Sequence, residues 1–308
     1  MSDNYAASIL CYGSSGTLKT TNVGQFAKYV FEITGAPVRL ISADPGGWET
    51  IEPFIKAGII HPYRLTDSKT LLENIRLLMK GHWPTPDGTL GKDPNLDNVG
   101  AYAVEGITSI SFLILRHLVS KGQKISEDIV GQFREGAEVF GAAGRSHYGF
   151  VQQFALDMLG VGGFGSLPTL SKRVMFTAHE GKGQDQQTRQ TVYGPAAVGQ
   201  AITGAIPFYV SDLLHFETAI IDAKSNKTTV RAYLRPHADS ELQSIVWPAK
   251  PRMPFDQISA IQEKWPEGYI DLSKESLYDY LKFMDSVREK SANSILAWKD
   301  SLSKGAMK

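Results

Sequence analysis

The sequence predicts a mixed α/β fold in which a mostly parallel sheet is flanked by helices, and three observations predict it. Short apolar runs ("SILCY", "VRLIS", "VGAYAVE", "RVMFTAH") alternate with segments of helical periodicity, the pattern of a sheet wound with crossover helices. The stretch "FYVSDLLHFETAIIDAKSNKTTVRAYLRP" reads instead as antiparallel strands, with the last turn at "KSNK". From about Pro251 the chain becomes polar and helical. The expected division is a core over residues 1–252 and a helical extension over 253–308.

The elements follow in order. "SILCY" is a buried strand and the Gly/Ser run after it a turn, and Thr20 to Ile33 form a helix with Val23, Phe26, Ala27, Val30 and Phe31 on its apolar side. Gly35 and Pro37 stop that helix. "VRLISAD" is the second strand, and "SKTLLENIRLLMKG" is a helix with Leu71, Leu72, Ile75, Leu78 and Met79 on one face. Residues 81–98 are a polar, Pro/Gly-rich excursion. "VGAYAVE" is the third strand and leads into the helix "SISFLILRHLV"; "RVMFTAH" is the fourth, after the glycine-rich "GVGGFGSLP".

Composition bounds the function. The chain has 308 residues, 42% apolar and 21% charged, enough for a substantial core and unlike a disordered chain. Lys plus Arg and Asp plus Glu are both 32, so no global positive field marks a nucleic-acid partner, and any such contact needs a local patch. The start "MSDNYAAS" has no basic-then-apolar leader pattern, and the longest apolar run, around "SFLILRHLV", is too short to span a bilayer. A single cysteine, Cys11, allows no internal disulfide. A soluble protein of a reducing cytoplasm is expected, with no membrane partner.

The chemistry concentrates in "GSSGTLKTT". A phosphate-binding loop needs a strand that ends abruptly, glycines that let backbone N–H groups wrap a phosphate, a lysine for the β/γ oxygens and a hydroxyl for Mg²⁺ at a helix start. Gly13, Ser14, Ser15, Gly16, Thr17, Leu18, Lys19, Thr20 and Thr21 occupy that layout, with Lys19 and Thr20 at the required spacing. Leu18 stands where a glycine is usual, and its side chain either blocks the phosphates or turns away into the fold. The bland alternative is an ordinary glycine-rich strand-to-helix turn.

Ligands in open parallel sheets lie at the carboxyl ends of the strands, which directs attention to the acids there. Glu105 ends the third strand, where it serves either as a Mg²⁺-associated acid, with Thr20, or as a solvated strand-end carboxylate. Asp44, in "ISADPGGWET", is a candidate to orient or deprotonate an attacking water, with Glu49 in reserve; an Asp-Pro-Gly turn explains the same residues without catalysis.

The motifs "GSSGTLKTT", "LISAD", "AYAVEGITSI", "VMFTAHEG" and "YGPAAVGQAITGAIPFYVSDLLHFE" together resemble a RecA-type ATPase core. They are most similar to small phage-encoded, AAA-domain nucleotide-binding proteins acting in recombination and single-strand annealing, over roughly residues 5–252. The resemblance implies ATP and Mg²⁺ as ligands, and it implies His179, ending "VMFTAH", as a sensor of the γ-phosphate. It also implies that the loop "EGKGQDQQTRQTVYGP" touches single-stranded DNA, with Lys182 and Arg189 on phosphates and Tyr193 stacked on a base; an ordinary exposed loop has the same composition. A homo-oligomer is implied, ring or filament, with ATP between subunits and a cation supplied in trans from Arg231, Arg235, Lys250 or Arg252. Beyond the core, Leu277, Leu281, Met284, Val287, Ile295, Trp298 and Leu302 form an apolar stripe, expected to pack on this chain's own core or to dock on a neighbouring subunit or another phage replication or recombination protein. Three functions fit: a DNA-dependent ATPase, a nucleotide-binding switch with little hydrolysis, or a small-molecule kinase, the last disfavoured because no arginine-rich lid segment is present.

Overall fold

The structure, a computed structural model, describes residues 7–305 except 45, 93–95, 121–143, 161, 171, 185–190, 200–201, 223–224, 226, 239–245 and 252–254. In chain order, strand β1 (Ser8–Gly13) leads into helix α1 (Lys19–Thr34), followed by β2 (Val38–Ser42), α2 (Glu52–Lys56), β3 (Ile60–Arg64) and α3 (Leu71–Met79). A small hairpin, β4 (His82–Pro84) with β5 (Leu90–Lys92), precedes β6 (Ala101–Glu105), α4 (Ile107–Ser120) and α5 (Arg145–Leu159). Then come β7 (Arg173–Gln184), β8 (Thr191–Pro195), β9 (Asp212–Asp222), β10 (Lys227–Tyr233), β11 (His237–Ala238) and β12 (Val246–Trp247). The chain finishes with α6 (Phe255–Lys264), β13 (Tyr269–Asp271) and α7 (Leu277–Gly305).

The main sheet runs β13-β10-β9-β1-β7-β6-β2-β3, with β8 paired to the outer part of β7. From β9 to β3 every neighbour is parallel, whereas β10 and β13 join antiparallel, as the late strand pattern predicts. Alternation within β1 splits the core in two. Leu10 and Tyr12 face the side covered by α3, α4 and α5; Ile9 and Cys11 face the side covered by α1, α6 and α7. A parallel strand covered on both faces is mostly apolar, and β1, β2 and β6 have every residue buried, the polar Ser8, Arg39, Ser42 and Glu105 among them.

Several elements escape the sequence pattern. β3 holds one fully buried residue, Ile60, and contains Pro62, which an edge strand tolerates. The polar excursion at 81–98 contains the β4–β5 hairpin, and the loop proposed to touch DNA is built, where described, as a second hairpin that continues β7 into β8. The segment after residue 253 supplies β13 to the main sheet, and its last helix packs on α1. Leu277, Leu281, Met284 and Val287 are buried there, while Ile295 is 61% exposed; the side chains of Trp298 and Leu302 lie outside the described residues. Asp285 anchors α7 by accepting from Arg173 Nη2 (2.6 Å) and from the Tyr29 hydroxyl. Among the described residues no helix is long and apolar enough to cross a membrane.

Candidate functional site

β1 stops because Gly13 reaches the wall of its neighbour: a Cβ at this position would lie 2.1 Å from the backbone oxygen of Phe216 on β9. No other residue fits. The chain then turns through Ser14–Thr17, where the buried Thr17 hydroxyl donates to the Ser14 carbonyl (2.8 Å). Leu18 enters α1 at φ 61° and ψ 21°, the only described non-glycine residue in the left-handed region. Leu18 is 41% exposed and is itself part of the cavity lining described next. Asn22 steadies this entry, donating from Nδ2 to the Leu18 carbonyl (2.9 Å) and accepting from the Leu277 amide (3.2 Å) at the start of α7.

A cavity of about 350 Å³ opens at the carboxyl ends of the strands, lined by the loop from Ser15 to Thr21 and by Asp44, Glu105, Thr177 and His179. The first amides of α1, which a helix leaves without internal acceptors, belong to that lining and provide an anion-binding end. Lys19 curls over the loop, donating from Nζ to the carbonyls of Gly13 (2.9 Å) and Ser14 (2.6 Å). Burial lowers the pKa of its ammonium, opposed first by the charge of Asp44 and then by those of Glu105 and Glu180.

Glu105 is the unusual acid. It is 1% exposed, and neither carboxylate oxygen has a hydrogen-bond partner. Burial raises its pKa and the charge of Asp44 adds to this; Thr20, Ser42 and Trp48 approach and oppose the rise without reaching hydrogen-bond geometry. A buried acid facing a cavity without a donor is matched by a cation, and Mg²⁺, which takes one or two carboxylates and completes its shell with water and phosphate oxygens, fits Glu105 with the Thr20 hydroxyl. Among the described residues no cluster of three or more His, Cys, Asp or Glu could hold a metal by itself.

Asp44 lines the cavity beside the turn that follows Glu105. Gly106 makes room for it, at φ 76°, since a Cβ there would lie 2.8 Å from Asp44 Oδ2. Glu49 is exposed and accepts from the Gly47 amide (3.0 Å), outside the cavity lining. His179 lines the cavity from the end of the β1-paired part of β7, its amide donating to Thr108 Oγ1 (2.9 Å). Burial and the Lys19 charge lower its pKa, with Asp44 opposing, which favours the neutral imidazole. Thr177 went unremarked in the sequence; its hydroxyl accepts from the Gly106 amide (2.8 Å) and ties β7 to the turn after β6. Its signal was a polar residue inside an otherwise apolar strand.

Directly after His179, Glu180 is clamped by Trp247 Nε1 (2.9 Å) and His215 Nε2 (2.9 Å), and His215 Nδ1 meets His237 Nε2 (3.1 Å). Burial would raise the Glu180 pKa, but these hydrogen bonds outweigh it and hold it below the ordinary value; burial and the neighbouring His215 push His237 down to about 4. Tyr12 stacks on His215 at 4.7 Å, so the cluster braces the strand that ends in the loop.

The described ones among the remaining candidates do not line this cavity. Arg231 covers the ring of Tyr269 (4.3 Å), Arg235 donates to the Pro266 carbonyl (3.2 Å), and Lys250 pairs through its backbone with Leu213. Lys182 is exposed on the β7–β8 hairpin, whereas Tyr193 is half-buried against Trp247 at 5.3 Å. Arg189 and Arg252 lie outside the described residues.

The loop, its lysine, the hydroxyl at the helix start and two acids at strand ends define a candidate site for a phosphate chain with a divalent cation. No protein-family model and no curated protein matches the sequence. Two solved structures show a likeness. A KaiC-like protein from the hyperthermophilic archaeon Pyrococcus horikoshii is 13% identical, over 74% of this chain and 77% of that one, with a TM-score of 0.37. The flagellar accessory protein FlaH from Methanocaldococcus jannaschii is 13% identical over 75% and 78%, with a TM-score of 0.36. At these values neither likeness bears on what the chain binds.

Proposed function

We propose that this chain is a RecA-type P-loop ATPase that binds ATP with Mg²⁺ at the β1–α1 loop and hydrolyses it. The observation that carries the reading is the buried, unpartnered Glu105 carboxylate facing the same cavity as Lys19 and Thr20. The Lys19 ammonium, now held on loop carbonyls, exchanges them for phosphate oxygens. Thr20 and Glu105 would hold Mg²⁺, partly through water, and the bound cation would supply charge neutralisation on the phosphates. Asp44 orients the attacking water and takes its proton, and neutral His179 donates a hydrogen bond toward the γ-phosphate end.

The finer reading is an oligomer acting on single-stranded DNA in phage recombination or annealing, in the host cytoplasm. The exposed Lys182 on a hairpin that continues a cavity strand supports it, since a strand shared by both places links them. The trans cation comes from Arg231, Arg235, Lys250 or Arg252. One observation favours a second reading, a nucleotide switch with little hydrolysis: Leu18 adopts a conformation that glycine adopts without cost. ATP turnover measured with and without a single-stranded oligonucleotide tests both. DNA-stimulated turnover supports the ATPase on DNA; tight binding without turnover supports the switch; unchanged ATP binding in Lys19→Ala removes the site assignment altogether.

A further inference from the structure

The helix that carries Lys19 and Thr20 starts at an apolar cap. Its cap residue is Leu18, held at φ 61° in the left-handed region that a side chain resists, and offering no capping hydrogen bond. A Ser or Asp at the cap would take one of the first amides of α1 for itself; Leu18 leaves them to the cavity. The entry into the helix is therefore held from behind.

Asn22 holds it. Two residues beyond Thr20, this side chain stands about 200° around the helix, and it is 3% exposed. The Leu18 carbonyl accepts twice, from the Asn22 backbone amide (3.0 Å) and from Nδ2 (2.9 Å), while Oδ1 accepts from the amide of Leu277, the first residue of α7 (3.2 Å). These two partners fix both the orientation and the identity of the side chain. The carbonyl needs a donor and the amide an acceptor, and an aspartate would set a charged acceptor against the Leu18 oxygen. Around this contact Leu277, Tyr280, Leu281 and Met284 of α7 share one buried core with Val23, Phe26, Ala27 and Val30 of α1. A residue 255 positions downstream is thus bonded to the group that sets the loop's exit.

We propose that Asn22 is a positioning residue through which α7 sets the phosphate loop, so that nucleotide binding and docking of the first turn of α7 strengthen each other. The inference rests on the nucleotide site assigned above. The coupling is reciprocal: loosening α7 weakens the anion-binding end of α1, and a bound phosphate chain tightens α7.

The test uses two readouts on the full-length chain: affinity for a non-hydrolysable ATP analogue with Mg²⁺, by calorimetry, and hydrogen exchange over residues 13–24 and 275–285, with and without the analogue. Asn22→Ala should weaken affinity about fivefold or more and, without nucleotide, speed exchange over 13–24 by a similar factor. In the Leu18→Gly background, where the left-handed entry needs no holding, both effects should fall below about twofold. A role confined to general stability would give equal losses in the two backgrounds. Asp285→Ala, which frees α7 from Arg173 and Tyr29, should also speed exchange over 13–24, and only while Asn22 is present. The analogue should slow exchange over 275–285 in the wild type and not in Asn22→Ala. If Asn22→Ala fails to fold, Asp285→Ala decides. Equal losses in both backgrounds, or exchange over 13–24 unchanged in Asn22→Ala and Asp285→Ala, overturns the proposal. An analogue that fails to bind the wild type removes the nucleotide site instead, and the exchange data then decide the positioning role.

Discussion

Replacing Glu105 by Gln removes a charge while keeping the shape of the side chain, and the geometry predicts opposite effects with and without ligand. At 1% exposure with both oxygens unpartnered, the carboxylate bears a desolvation cost of about 1–3 kcal/mol that no protein donor offsets. In EDTA the variant should therefore be the more stable protein, by about 2–8 °C in Tm. The pH dependence has a definite sign. A carboxyl whose folded pKa lies above its unfolded value holds more proton when folded, so stability is lost as pH rises from the unfolded value through the folded one. The gap between variant and wild type should accordingly open as pH rises above the ordinary carboxylate range and close below about pH 4. With Mg²⁺ and a non-hydrolysable ATP analogue the order should reverse, because binding at about 100 times Kd adds about 2.7 kcal/mol to a protein that keeps its cation site. Thermal melts across pH, in EDTA and in Mg-analogue, read both effects. A Gln variant that melts below wild type in EDTA, or gains as much from the Mg-analogue, would refute the reasoning.

Three further outcomes are expected. Asp44→Asn should lower ATP turnover about 100-fold or more while nucleotide affinity, read by fluorescence titration, holds within about threefold; Glu49→Gln should leave turnover nearly intact, because its carboxylate serves the Gly47 amide. Leu18→Gly should stabilise the protein by about 0.5–1 kcal/mol in urea titrations, since relief of a left-handed leucine outweighs the added freedom of glycine in the unfolded chain. Asp285→Ala should cost about 3 kcal/mol in the same assay, leaving Arg173 buried without its counterion and loosening α7 from α1.

What could be read from the sequence follows from burial. β1, β2 and β6 are sandwiched between helices, so their mostly apolar runs were legible; the rule that ligands gather at strand ends pointed to Asp44 and Glu105, the family resemblance pointed to His179, and all three line one cavity with Lys19. β3 has little to bury and α5 was passed over between two helical and glycine-rich stretches, although Val151, Phe154, Ala155, Met158 and Leu159 form its buried face. The β7–β8 pairing was hidden because its residues are mostly polar and its register, from Glu180 with Pro195 to Gln184 with Thr191, is not marked by an apolar pattern. The choice between Asp44 and Glu49 needed coordinates. Both acids flank the same glycines, and only the backbone at Gly106 shows which of them the fold makes room for.

Asn22 joins the first helix to the last: its amide group holds Leu18 on one side and the Leu277 backbone on the other. Because a ribosome releases the chain from the amino end, the nascent protein exposes its glycine loop long before the α7 residues that brace it have emerged. The loop should therefore reach its braced shape only after translation nears completion, so that a stalled, tethered chain lacking α7 would carry the loop without its finished shape.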